Sequence, residues 1–191
     1  MGSPRVFIQT ADFDLAHEIA ALRSDDKRVG AICSFVGTVR DRNVAPTLGT
    51  GVSPLPPERA LSPRGGPAAK DGDAITSMEL EHYPGMTEAS IEAMIDEAMR
   101  RFEIRAARVV HRIGRLAPMD QIVLVAVTSS HRGQAFRACE FLMDYLKTQA
   151  PFWKKEAGEG GSRWVDARVS DDEALARWGI APGNAAPSEK G

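Results

Sequence analysis

ARVVHRIGRLAPMDQIVLVAVTSSHRGQAFRACEFLMDYLKTQAPFWKK, residues 107–155, is the stretch that decides the fold. It opens with an apolar strand at Ala107–Ile113 and passes through Gly-Arg-Leu-Ala-Pro-Met-Asp (114–120), which reads as a turn. A second strand follows at Ile122–Thr128. Its Ile-Val-Leu-Val-Ala-Val run has no polar alternation, so both of its faces should be covered. Gly133–Lys147 then places Phe136, Cys139, Leu142, Met143 and Leu146 at helical spacing, and Pro151 ends that helix.

Outward from this stretch the elements are short. Phe152–Lys155 and Trp164–Arg168 read as strands around a Gly-rich turn, Gly158–Ser162. Upstream, Thr87 is a candidate N-cap for a helix Glu88–Phe102, whose inner face would hold Ile91, Met94, Ile95, Ala98, Met99 and Phe102. Val6–Gln9, Val29–Val39 and Ser77–Tyr83 read as extended, and Asp14–Leu22 as a helix. Strands flanking two helices predict an α+β fold, with helices packed on a mainly antiparallel sheet.

Val44–Ala74 breaks the pattern. It holds six of the twelve prolines and five of the seventeen glycines, with no aromatic residue and no apolar period. Such a stretch cannot bury enough surface to offset its ordering entropy, so a long mobile insertion in one domain is expected. The domain should run over residues 1–178, with a disordered tail at 179–191.

With 191 residues, 43% apolar and 26% charged, the chain suits one soluble domain. No apolar run has the ~18 residues of a membrane span, and the first residues lack a signal peptide's order, so a cytoplasmic protein is expected. Cys33 and Cys139 are too few for a cysteine metal site or a secreted disulfide framework. Net charge is −2, which gives no argument for nucleic acid. Residues 100–168 nevertheless carry 13 Lys and Arg against 7 Asp and Glu. That local excess suggests an anion site, although Arg100, Arg101, Arg105 and Arg108 have a simpler reading as solvation of a helix end.

No P-loop, nucleophile elbow or His-Glu-x-x-His is present, and the histidines at 17, 82, 111 and 131 lack metal-ligand spacing. Three cationic clusters remain. Ser129-Ser130-His131-Arg132-Gly133, where strand gives way to helix, could seat an anion on free amides, or be no more than a helix cap. Lys147 and Lys154 flank Pro151, which can turn one back towards the other. Beside Phe152 and Trp153 the two ammonium groups could hold a phosphate or serve proton transfer, or be ordinary surface lysines. Arg40, in Phe35-Val-Gly-Thr-Val-Arg-Asp, can clamp an anion with its fork of donors.

At these residues the chain resembles the catalytic (large) subunit of molybdopterin synthase. The matching stretches are GAICSFVGTVRDRN (30–43), LEHYPGM (80–86), HRIGRLAPMDQIVLVAVTSSHRGQAF (111–136), MDYLKTQAPFWKKE (143–156) and RWVDAR (163–168). The resemblance implies an α/β-hammerhead fold and a homodimer. Each copy would bind a small ubiquitin-like sulfur carrier, giving a heterotetramer. The carrier's Gly-Gly tail ends in a thiocarboxylate, and two sulfurs pass to cyclic pyranopterin monophosphate to make the molybdopterin dithiolene.

The family's functional positions fall on Phe35, Arg40, His131, Arg132, Lys147, Lys154 and Arg168. By that resemblance Lys147 is general acid/base at the carrier's terminal glycine, Lys154 stabilises developing charge, and the arginines with His131 hold the phosphate. No metal and no resident cofactor is implied. The insertion and the tail depart from the family pattern. The other readings are a module that docks a ubiquitin-like tail or phosphorylated ligand without turnover, and an RNA-binding α+β domain. The latter would need exposed aromatics on its strands, and Ile122–Val127 has none.

Overall fold

The unalternating run of residues 122–127 forms the middle of β6 (Gln121–Ser129), and its two faces meet two different cores. In the computed structural model, which describes residues 4–41, 74–158, 161–165 and 177–179, Val123, Val125 and Val127 face one helical layer. That layer is α2 (Met86–Arg101) and α3 (Arg132–Gln149), through Ile91, Ile95, Phe141 and Leu142. Leu124 and Ala126 face the other way, against Phe13 and Val110, with Leu15 and Leu22 of α1 (Leu15–Arg23) packed alongside. The strand is covered on both sides, as its lack of alternation requires.

Two four-stranded sheets are present among the described residues, where the sequence suggested one. The first has the order β1 (Val6–Gln9), β4 (Ile104–Arg112), β6, β2 (Ala31–Thr38). It is antiparallel except for the β1–β4 pair. The second is wholly antiparallel in the order β5 (Gly114–Leu116), β3 (Ile75–His82), β7 (Phe152–Gly158), β8 (Gly161–Val165). The α+β class stands.

The residues expected to form a turn at 114–120 begin with β5. Gly114 takes φ 81°, a conformation costly for any other L-residue, and so swings the chain from β4 into the second sheet. Leu116 then lies opposite Met78, closing a small core with Val39 and Leu80.

Three local expectations are corrected. Thr87 lies inside α2, and Gly85 is the N-cap, its N–H donating to Glu88 Oε2 at 2.7 Å. Met99 is exposed, because its place on the helix brings it beside Arg5 rather than the sheet. Phe136 is 61% exposed, since the buried stripe of α3 runs through Ala135, Ala138, Leu142 and Leu146, one position to its side. The helix-end reading holds for Arg100 and Arg101, which pair with Glu97. It fails for Arg105 and Arg108, which lie on β4. Arg105 Nε donates to Asp26 at 2.7 Å and the buried Arg108 to Glu18 at 2.6 Å, tying β4 to α1 and the loop after it. Those two charges are neutralised in place and are not part of an anion site. The insertion expected at 44–74 and the tail expected at 179–191 lie almost wholly outside the described residues.

Candidate functional site

At one end of α3 the chain passes from β6 through Ser129 and Ser130. The buried Ser129 hydroxyl donates to Glu103 O at 2.6 Å and accepts the His131 N–H at 3.1 Å. His131 is extended, and its carbonyl takes the amides of Gln134 and Ala135 at 3.2 and 3.3 Å. The His131 side chain makes no capping hydrogen bond, and the first turn of α3 carries no acidic residue. Gly30, Ser130, His131, Arg132 and Gly133 line an open cleft of about 420 Å³. Any Cβ at Gly30 would fall 2.6 Å from Ser130 O, so only glycine lets the approach to β2 pass this close. Helix amides, an imidazole and a guanidinium exposed together make a seat for an anion.

The other end of α3 is the Pro151 corner. Lys147 is exposed in the last turn, Ala150 leaves the helix in an extended conformation, and β7 begins at Phe152. The Phe152 ring stacks on His111, with centroids 3.8 Å apart and planes 16° from parallel. His111 is buried, and that burial pushes its imidazole down to about 4, so it is neutral near pH 7. His111 Nδ1 lies 2.8 Å from Arg112 O, and a carbonyl only accepts, so this nitrogen carries the proton.

Lys154 lies on the same face of β7 as Phe152 and Glu156. Its Nζ is 2.9 Å from Oε1 of Glu156, a carboxylate only 3% exposed. Leu80 is opposite Lys154 and Met78 opposite Glu156, and both pack with Val39. Arg40 follows Val39 and is exposed, so it leaves the same small core. Trp153 and Lys155 point to the other face, where Lys155 Nζ sits 5.7 Å from the Trp164 ring centroid. Phe35 is midway along β2, 40% exposed. A Cβ on Gly37 would come within 3.4 Å of its ring and 2.9 Å of Val123 Cγ1, so glycine is what leaves room for the ring there.

One chain therefore carries Lys147 and Lys154 on either side of Pro151, has Arg40 next to the small core of Val39, Met78 and Leu80, and holds His131 with Arg132 at the opposite end of α3. Thr38 is opposite Gln121 and Ala31 opposite Ser129. At ~3.3 Å per residue, the eight steps from Gln121 to Ser129 span ~26 Å. Arg40 and His131 cannot meet on one phosphate within a chain. Arg168 lies outside the described residues. Glu156 was not singled out from sequence, although Lys-Lys-Glu on a strand puts its first and third residues on one face.

Among the described residues no group of three His, Cys, Asp or Glu side chains could hold a metal. Cys33 and Cys139 are free thiols, and burial together with the neighbouring Cys33 pushes Cys139 up to about 12. No described helix is long and apolar enough to cross a membrane.

The family described as MoaE protein matches residues 67–149. A molybdopterin synthase catalytic subunit from Ralstonia nicotianae is 52% identical over 182 residues, 95% of this chain and 88% of that protein. The Escherichia coli protein of the same name is 40% identical over 93% of this chain and all of its own length. Among solved structures, a molybdopterin biosynthesis MoaE protein from Burkholderia ambifaria aligns with a TM-score of 0.68 and 50% identity, over 92% of this chain and 98% of that one. A complex of subunits 1 and 2 of molybdopterin-converting factor from Helicobacter pylori, at TM-score 0.59 and 18% identity over 85% and 91% of the chains, agrees in fold.

Proposed function

The chain belongs to the molybdopterin synthase catalytic subunit family, and on that premise we propose that it is a cytoplasmic sulfurtransferase. It takes sulfur from the C-terminal thiocarboxylate of a small ubiquitin-like carrier and delivers it to cyclic pyranopterin monophosphate, forming the molybdopterin dithiolene. The relatives' name, a catalytic subunit, implies a further subunit, and the carrier fills that place.

Both reactants are anions, so the first task of the protein is to neutralise charge where they meet. The observation that carries the reading is the Pro151 corner, with Lys147 and Lys154 on either side of one turn and Arg40 emerging from the core beneath Lys154. Lys147 serves as general acid/base at the carrier's terminal glycine. Lys154, oriented by Glu156, stabilises the charge that develops on the acyl oxygen.

The phosphate goes to Arg40, His131, Arg132 and Arg168. Because His131 and Arg132 lie ~26 Å or more from Arg40 in one chain, a second copy has to present its α3 N-terminus at this corner. That requirement supports a homodimer with composite sites, and a heterotetramer once the carriers bind.

Mass spectrometry of the pterin products, after mixing the protein with thiocarboxylated carrier and pterin substrate, tests the activity. Dithiolene should form with the native chain. Lys147→Ala and Lys147→Arg should both be nearly inactive and remain folded, because a helix-end lysine contributes at most ~1 kcal/mol and a guanidinium keeps its proton. Near-native product from Lys147→Arg would remove the acid/base role.

A further inference from the structure

The turn between β3 and α2, His82-Tyr-Pro-Gly-Met-Thr87, has no part in the chemistry above, yet it is bolted to the corner that carries the lysines. Thr87 is fully buried. Its hydroxyl accepts the Tyr83 N–H at 3.1 Å and donates to Pro151 O at 3.2 Å, across 64 positions of sequence. A hydroxyl has one proton, and here it goes to the corner. The Thr87 N–H separately donates to Tyr83 O at 3.0 Å, so the turn is closed by the backbone without that proton.

Pro151 follows the end of α3, and its carbonyl takes the Thr87 hydroxyl. The next residue, Phe152, is held from two more sides, by β-pairing with His82 and by the His111 ring stacked on it. Three ties thus converge on two residues midway between Lys147 and Lys154.

We propose that Thr87 is a positioning residue for sulfur transfer, fixing through its hydrogen bond to Pro151 the angle at which β7 leaves α3 and hence the placement of Lys154 relative to Lys147. This rests on the reading of those lysines given above. Thr87 touches neither reactant. It acts only through the corner, so its loss should lower turnover rather than binding.

The test uses the complete complex with thiocarboxylated carrier and pterin substrate, well below the melting temperature of each variant. Thr87→Val keeps the shape and removes the hydroxyl. A displacement of about 1 Å at a reacting group costs up to ~100-fold, so kcat should fall about ten- to a hundredfold while KM for the pterin changes less than about twofold. Thr87→Ser keeps the hydroxyl and should recover kcat to within about threefold of native, even if the lost methyl lowers the melting temperature. Should Thr87→Val not fold, Thr87→Ala, which adds no bulk, takes its place with the same expected loss. A folded hydroxyl-free variant with native kcat overturns the proposal, as does a loss that serine does not restore. A native rate from Lys147→Ala would instead overturn the reading of the lysines, so the two failures are told apart.

Discussion

Two chains that are each severely impaired should revive one another. Arg132→Ala removes the phosphate ligand proposed at the start of α3, and Lys147→Ala removes the acid/base proposed at its end. Charge-assisted contacts of the first kind are worth ~1.5–3 kcal/mol, one to two decades in substrate binding, once a second copy covers the site. At a pterin concentration below its KM, Arg132→Ala alone should therefore keep roughly 1–10% of native rate. If each site takes Arg132 from one copy and Lys147 from the other, a mixed dimer has one site with both residues and one with neither. Equal amounts of the two chains, co-refolded, give mixed dimers in about half of all pairings, so about a quarter of native activity should return. The assay is product formation against mixing ratio, with two affinity tags to isolate the mixed species. Isolated mixed dimers should work at about half the native rate. Recovery no greater than the sum of the parents would refute the composite site. The ~26 Å separation within one chain would then need a large rearrangement to be reconciled with a shared phosphate.

Two further outcomes concern stability. His111 titrates at about 4 in the folded chain against an ordinary 6.5, so between those values the unfolded chain holds a proton that the folded chain lacks. Its contribution is complete above pH 6.5 and is lost as pH falls towards 4, by up to about 3 kcal/mol. Urea unfolding at several pH values should show this slope, and His111→Phe, which keeps a stacked ring, should flatten it; an unchanged slope would be contrary. Met119, 87% exposed, holds φ 78°, in a region that costs a non-glycine residue ~1–2 kcal/mol. After allowing for glycine's greater freedom when unfolded, Met119→Gly should stabilise the chain by ~0.5–1 kcal/mol, and a lower urea midpoint would contradict the strain.

The parts of the fold that could be read from sequence were those where one physical effect acted alone. The run at 122–127 has only one way to satisfy so much apolar surface, and it became the central strand. Pro151 cannot continue a helix, and α3 stops just before it. The misreadings fall where two effects compete. Thr87 has the chemistry of an N-cap, but its hydroxyl is used across the fold on Pro151, and Gly85 with Glu88 closes the helix instead. Gly-Arg-Leu at 114–116 follows a strand and precedes a proline, and reads as a turn because nothing local reveals a second sheet waiting beside it. Phe136 and Met99 fit a helical period counted from one neighbour but not the stripe that tertiary packing selects.

The same division runs through the candidate site. Each cation could be named from its local sequence, because a helix end, a strand end or a motif fixes its residue type. Their arrangement could not, since it depends on which end of an eighteen-residue helix and a nine-residue strand each one occupies. Lys154 shows the consequence most clearly. From spacing, its natural companion is Lys147, and two ammonium groups together suggest repulsion. In the fold, the charge 2.9 Å from it is the buried Glu156 carboxylate, two residues along the same strand face. A buried carboxylate is tolerated only with a partner, so the pair constrains both members, and Lys154 is aimed as well as charged. The lysine on the helix end is exposed, in the last turn of α3. Lys154 is a charge placed by a buried partner, while Lys147 stands at the solvent-facing helix end where the carrier's terminus is proposed to arrive, and this difference in setting is the physical ground for giving them different roles.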